Sequence, residues 1–355
     1  MILVDFSNLM HRILFVSTMK TNHNVLEYRG MFLHMLFTNL SNIKKNYSNT
    51  YGDIVLCLDA KRSWRKDFYP EYKATRAEAR DKNKIDFVEF YKLVEETLEV
   101  INQHFPFKVV SAPRAEGDDV IAIIVEHRKD TNEKTLIVTE DKDMRQLRAY
   151  PNVDIYKPIQ ADFDTSSMDA IDAWIIEHIL IGDRVDNIPS IKKDTEFSVA
   201  FLKYLKKNDI HITDVRKFNL MAISKKLYSE FTEVDKKGKL DIFKAPLFGE
   251  AKARDFMKDF KDNLYANRLF IRNYVRNRKL IHFKYIPKDI TESILDSYAT
   301  AKFSYSPAMI LEYFNKNSLK YLAQGAHDFY ITTSDNMTEE EITEDRLNKL
   351  NDWFS

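Results

Sequence analysis

The sequence predicts an α/β protein with a parallel sheet covered by helices on both faces, and three observations lead to that expectation. Short apolar runs alternate with helical patterns through residues 1–160, as strand–helix–strand units require. Acidic residues fall where those runs end, at the edge where such sheets bind ligands. Over 355 residues, 44% apolar and 13% aromatic content is ample for a packed core, in one large domain or two.

The strand candidates are 2–6, 54–58, 107–111, 135–139 and 153–156. Helical patterns lie at about 25–47, 85–103 and 117–128, with a shorter one at 142–148. Residues 60–84 break the alternation, with nine Lys/Arg against four Asp/Glu, the aromatics Trp64, Phe68, Tyr69 and Tyr72, and no large apolar residue from Lys73 to Lys84. A segment that can bury so little is expected to be a mobile excursion ordered mainly by a ligand.

From about 170 to 330 the chain reads as helical and rich in Lys and Arg. Arg268, Arg272 and Arg276 are four apart and share one helix face, which reads equally well as a solvated amphipathic helix. Residues 331–355 carry seven Asp/Glu against Arg346 and Lys349. Thr338 to Glu341 form a capping-box start, and Ile342, Leu347, Leu350 and Phe354 a narrow apolar stripe, so a linker and a short helix are expected there. The expected organisation is a metal-dependent domain at 1–190 with its excursion at 60–84, a helical domain at 191–330 and an acidic tail at 331–355.

Formal net charge is zero, from 54 basic and 54 acidic residues. That argues against a simple nucleic-acid coat protein, but not against an enzyme whose acids hold metal while its bases hold phosphate. The single Cys57 sits inside an apolar run and reads as a core residue, with no disulfide framework available. The opening MILVDF reaches an acid too early for a signal peptide. No apolar stretch approaches the ~20 residues of a membrane span. These features lead to the expectation of a soluble, cytoplasmic protein of a reducing compartment.

Nine carboxylates form five clusters: Asp5; Asp59; Glu116, Asp118 and Asp119; Asp141 and Asp143; Asp183 and Asp186. Alone, each is ordinary. An Asp-x-Asp is usually a solvated turn, and acids favour helix starts electrostatically. Brought together at one sheet edge they would repel unless cations neutralised them. The clusters offer only oxygen donors, with no His or Cys, which suits Mg²⁺ or Mn²⁺ rather than zinc. A two-ion site is the expectation.

At VDFSNLMHR (4–12), LDAKRSWRKDFYPEYKATR (58–76), AEGDDVIA (115–122), VTEDKDMRQL (138–147) and IGDRVDNIPSI (181–191), the chain resembles the structure-specific 5′-nucleases of the flap-endonuclease family. Within that family it is most similar to the bacteriophage RNase H type of the T-even phages. The resemblance implies a PIN-like core, a helical arch over the active site and a C-terminal helical DNA-binding region. It implies two Mg²⁺ ions, with Mn²⁺ able to substitute. One ion falls to Asp5, Asp59, Glu116 and Asp118, the other to Asp141, Asp143 and one or both of Asp183 and Asp186, with Asp119 nearby. Lys73 and Arg76 match basic residues at the arch base that would stabilise the scissile phosphate. Tyr72 would stack on a displaced base or pack the arch base. Arg62, Arg65, Lys66 and Arg80 would hold phosphates.

Two departures from the family pattern stand out. After the GDRVDNIPS turn the chain continues Ile191-Lys192-Lys193-Asp194-Thr195 without the second glycine-rich turn of a helix–hairpin–helix. Its cation site is therefore in doubt, and Lys192 and Lys193 become candidates for direct phosphate contact. Glu140 stands where the family often has Gly, adding charge near the site.

The implied activity is 5′–3′ exonuclease and flap-endonuclease hydrolysis of RNA–DNA and DNA–DNA duplexes by a monomer, in primer removal during phage replication inside a bacterial host. Leu350, Trp353 and Phe354 suggest a sliding clamp or single-strand-binding protein as partner for 338–355, or docking on this protein's own helices. The competing readings are a catalytically weak structure-binding protein of the same fold, a metal-dependent small-molecule phosphatase and a PIN-type nuclease acting on structured RNA.

Overall fold

In the computed structural model of the chain, the described residues are 1–20, 25–76, 85–192, 248–303 and 305–330. A six-stranded sheet has the order β3-β2-β1-β4-β5-β6. Its strands are β1 (Ile2–Asp5), β2 (Ile54–Cys57), β3 (Phe107–Val110), β4 (Thr135–Val138), β5 (Val153–Lys157) and β6 (Asp162–Phe163). β1 to β5 pair in parallel and β6 is an antiparallel edge. The five expected strands are therefore present with ends displaced by at most one residue.

Strand residues alternate between two cores. Ile2, Val4, Ile54, Leu56, Leu136 and Val138 join one cluster. Leu3, Val55, Cys57, Ile137, Val153 and Ile155 join the other. This two-sided burial explains the uninterrupted apolar runs. Cys57 lies in the second core, as expected.

The helix Val25–Tyr51 exceeds the expected 25–47, and Phe87–His104 starts at an Asp86 cap whose Oδ1 accepts from Val88 N and Glu89 N. Gly117–His127 matches expectation, whereas Lys142–Ala149 is a 3-10 helix. The helix Phe6–Lys20 was not anticipated, because it follows β1 without a break.

Beyond 250 the described residues are helical, but packing crosses the boundary expected at 190. Lys288–Thr300 lays Ile290 and Ile294 into the second core. Pro307–Lys316 and the turns after it bring Phe314 and Phe329 into the first. There Phe105 meets Phe37 at 4.9 Å and Phe329 at 5.3 Å. Between these, Met168–Ile181 packs on Arg268–Ile281 through Ile171, Ile175, Ile179 and Leu280. Among the described residues no helix is long and apolar enough to cross a membrane.

The sheet reverses direction at β1. β2 and β3 continue on one side of it and β4 and β5 on the other. In open α/β sheets that reversal leaves a crevice beyond the carboxyl ends of the two strands. Asp5 ends β1, and Asp141 follows β4 by three residues.

Candidate metal centre and nucleic-acid face

Asp5 is buried, with only 4% of its surface exposed. Asn8 N donates to its Oδ1 at 3.0 Å and Thr139 Oγ1 to its Oδ2 at 2.8 Å. Thr139 Oγ1 in turn accepts from Asp141 N at 2.9 Å, and Asp141 Oδ1 accepts from Asp143 N at 2.8 Å. One hydroxyl thus links the ends of β1 and β4 and holds Asp5 beside the backbone of Asp141.

Asp59 and Asp118 come in through a glycine. Gly117 N donates to Asp59 Oδ1 at 2.6 Å, and a Cβ at Gly117 would lie 3.1 Å from that oxygen and 3.2 Å from Cys57 O. The glycine in Glu-Gly-Asp-Asp therefore lets the helix start approach the end of β2. Burial, followed by the charges of Asp59 and Asp141, raises the Asp5 carboxyl to about 7. Asp141 is raised to about 6, by burial and then by Asp143. Asp118 is pushed well up by burial, then by Asp141 and Asp5. Carboxylates this mutually unfavourable are the arrangement that a divalent cation relieves.

A second set is cation-matched within the protein. Glu116 takes Lys73 Nζ at 2.6 Å, Arg65 at 2.8 Å and the Tyr72 hydroxyl at 3.0 Å. Although burial opposes ionisation, Lys73 and Arg65 hold the Glu116 carboxyl down at about 2. Asp186 accepts from Arg76 at 2.7 Å and Tyr72 at 2.9 Å, with Lys73 Nζ at 3.7 Å. Lys73 is in the left-handed region (φ 54), its amide bound to Asp186 O at 2.9 Å. The arch base and the 183–188 turn are thereby tied together.

Asp183 lies in that turn, its Oδ1 accepting from Val185 N at 2.7 Å and its Oδ2 facing Lys142 Nζ at 2.8 Å. Gly182, at φ 79, makes the turn possible, since a Cβ there would meet Ile188 O at 2.3 Å. His178 joins this group, its Nε2 3.2 Å from Asp143 Oδ1 and 3.5 Å from Asp183 Oδ2. Asp143, His178 and Asp183 each present one ligand atom within 4.8 Å of the others. This group thus sets a ring nitrogen beside the carboxylate oxygens on which the sequence expectation rested. The only sequence signal for His178 was its place one turn before Gly182 in an apolar helix, where a lone His reads as a core residue.

Several expected contacts are corrected. Arg65, expected on phosphate, is 3% exposed. It donates to Asp119 at 2.7 and 2.9 Å, to Glu116 at 2.8 Å and to Leu280 O at 2.8 Å. A strongly desolvated guanidinium bonded this way is structural. Asp119, expected near the ions, is fully buried and also receives Trp64 Nε1 and Glu116 N, both at 3.0 Å. Its oxygens hold the arch base to the helix start. Tyr72, expected either to stack on a displaced base or to pack the arch base, does the second: it is 3% exposed and packs with Ile175 and Ile179. Lys192, expected on phosphate, sets its Nζ 4.5 Å over the Phe248 ring, a cation–π contact. Glu140 faces Arg12 at 3.5 Å, which offsets its added charge.

Arg62 and Lys66 are exposed, Arg62 pairing with Asp67. Arg268 and Arg272 are exposed on one face of their helix. Arg276 turns inward to Asn273, Asn277 and Pro189 O, at 3.0, 3.0 and 3.2 Å. Arg80, Lys193 and the 338–355 tail lie outside the described residues.

Two family models match separate stretches of the chain. Residues 1–177 match the 5′-3′ exonuclease N-terminal resolvase-like domain, and residues 257–329 match the C-terminal region of T4 RNase H. The Ribonuclease H of Enterobacteria phage T4 is 26% identical over 303 residues, 84% of this chain and 87% of that protein. A 5′-3′ exonuclease of Buchnera aphidicola is 28% identical over 202 residues, 54% of this chain and 65% of that one. A solved structure of the bacteriophage T5 flap endonuclease, covering 84% of this chain and 99% of its own, has 15% identity and a TM-score of 0.49. The chain belongs to the structure-specific 5′-nuclease family, with the resolvase-like domain of the 5′–3′ exonucleases and a C-terminal region of the T-even phage RNase H type.

Proposed function

We propose that this nuclease is a divalent-metal-dependent 5′–3′ exonuclease and flap endonuclease of RNA–DNA and DNA–DNA duplexes, acting in removal of RNA primers during phage DNA replication. The observation that supports it most is the cluster of buried acids where the strand order reverses: Asp5, Asp118 and Asp141 are all raised, first by burial and then by neighbouring carboxylates. Such a site favours two divalent cations, Mg²⁺ or Mn²⁺. Asp5, Asp59, Asp118 and Asp141 would hold one. Asp143 and Asp183 would hold the other, with Glu116 and Asp186 alongside. The chemistry these residues would recruit by holding such ions is an activated water and charge stabilisation for the leaving oxygen of a phosphodiester.

The chain's own groups would do the rest. Lys73 pairs with Glu116 and Arg76 with Asp186, which sets positive charge beside these carboxylates. An incoming phosphate would share that charge as its own negative charge grows. Arg62 and Lys66 would contact the backbone farther out, with Arg80 and Lys193 as further contacts. Phosphate contacts of this kind weaken with salt as counterions are released. The chain is proposed to act as a monomer in the host cytoplasm, with 338–355 reaching a sliding clamp or single-strand-binding protein.

The test is a panel of labelled 5′-flap, nicked, RNA–DNA hybrid and single-stranded substrates, with Mg²⁺ and with chelator. Cleavage should need the metal and favour substrates with a 5′ end or flap. Asp141→Asn should abolish cleavage while DNA binding survives. Cleavage that persists in chelator, or undiminished cleavage by Asp141→Asn, overturns the proposal.

A further inference from the structure

We propose that His178 Nε2 is a metal ligand, forming with Asp143 and Asp183 a mixed nitrogen–oxygen site that prefers a first-row transition divalent cation over Mg²⁺. This rests on the metal-dependent reading above and deepens it at one of the two positions.

The argument begins with burial. His178 is 7% exposed, in the last turn of Met168–Ile181. Its ring stacks on Trp174 at 5.2 Å and 16°, which fixes the plane of the imidazole. The plane directs Nε2 at Asp143 Oδ1, 3.2 Å away, and Asp183 Oδ2, 3.5 Å away. Although both atoms are buried, Nε2 and Asp143 Oδ1 meet as an ion-pair contact without hydrogen-bond geometry, and neither makes a hydrogen bond elsewhere. Buried polar atoms of native proteins are nearly always satisfied, so each exception calls for an explanation. Two such atoms facing each other, beside a third carboxylate, are explained together by one cation between them.

Chemistry then selects the cation. Imidazole nitrogen suits Mn²⁺ less than the later first-row ions, but any of them better than Mg²⁺, which demands oxygen and keeps its waters. The cation that now competes for Asp183 Oδ2 is Lys142 Nζ, at 2.8 Å. Its side chain is 55% exposed, so it can swing into solvent. The neighbouring Asp5–Asp118–Asp141 group contains no nitrogen donor, so the two positions differ in ligand chemistry.

The experiment loads the full-length protein with Mn²⁺ and records pulsed EPR, once on unlabelled protein and once on protein grown with ¹⁵N-histidine. Modulation from ¹⁴N that changes to ¹⁵N on labelling, and is lost in His178→Gln at unchanged Mn²⁺ stoichiometry, is the expected result. Loss of groups that merely orient a ligand weakens metal binding roughly 10–100-fold. The Mn²⁺-over-Mg²⁺ preference, measured by competition, should thus fall at least about tenfold in His178→Gln. The labelled wild type decides the matter even if the variant folds poorly. Bound Mn²⁺ without nitrogen modulation, or modulation that survives in His178→Gln, overturns the inference and leaves the metal-dependent reading standing. Absence of any Mn²⁺ binding overturns both.

Discussion

Replacing Arg65 by Met should unfold this protein far more readily than it weakens DNA binding. The guanidinium makes four buried hydrogen bonds, three to Asp119 and Glu116 and one to Leu280 O. After Arg65→Met, Glu116 still has Lys73 and Tyr72. Asp119 keeps only Trp64 Nε1 and Glu116 N, at zero exposure. The penalty therefore concentrates on one uncompensated buried carboxylate. Removing one partner of a buried ion pair costs about 3–5 kcal/mol, and in a chain of this length that loss should lower Tm by roughly 4–7 °C. Urea unfolding of the metal-free protein measures it directly. The double variant Arg65→Met/Asp119→Leu should recover more than half of the loss, because no lone charge then remains buried. Lys66→Ala, which changes an exposed neighbour, should leave Tm within a degree or so and weaken DNA binding instead. If Arg65→Met costs less than about 1 kcal/mol and weakens DNA binding as Lys66→Ala does, Arg65 is a phosphate contact and the structural assignment is wrong.

Three further outcomes are expected. Gly182→Ala forces a Cβ to within 2.3 Å of Ile188 O at φ 79, so thermal melting should fall by several degrees and cleavage with it; an unchanged melt would remove the steric argument. Lys73→Ala should reduce turnover more than substrate affinity, and Lys73→Arg should restore part of it; single-turnover kinetics separate the two, and an effect confined to affinity would contradict a role at the reacting phosphate. In chelator, Asp5 at about 7 and Asp141 at about 6 bind protons more tightly in the folded than in the unfolded chain. Stability from those groups is then lost as pH rises between about 4 and 7, whereas the depressed Glu116 carboxyl loses its contribution only under strong acid. Melting in EDTA should therefore be lower at pH 8 than at pH 5.5, with Mg²⁺ reducing the difference; a Tm that rises with pH in EDTA would contradict this ordering.

The strands and the acids were legible in the sequence for a local reason. Residues such as Ile2, Leu3 and Val4 are buried on alternating faces of one sheet, so a run of apolar side chains marks the strand wherever it sits. Asp5 and Asp141 had only to follow such runs to be placed at the sheet's ligand edge. The close approach at Gly117 was legible only as a motif, because its reason is an oxygen of Asp59 58 residues away.

Charge pairing was decided by the tertiary structure. Arg65 and Lys66 are adjacent and both basic, yet one is buried against Asp119, 54 residues on, and the other is exposed. No periodicity distinguishes them, because a guanidinium's partner depends on where distant chain segments meet. The resemblance left Tyr72 between base stacking and packing and offered Lys192 as a phosphate contact, while packing committed one to the arch base and the other to aromatic rings. His178 is the converse case. A single histidine in an apolar helix carries no signal, and only the fold sets its Nε2 between Asp143 and Asp183. The sequence by itself thus determined which segments are strands and which acids lie at their ends, since both follow from local burial. Which charges are matched inside the protein, and which are left to meet a cation or a phosphate, depends on distances between remote residues, and these exist only once the chain is folded.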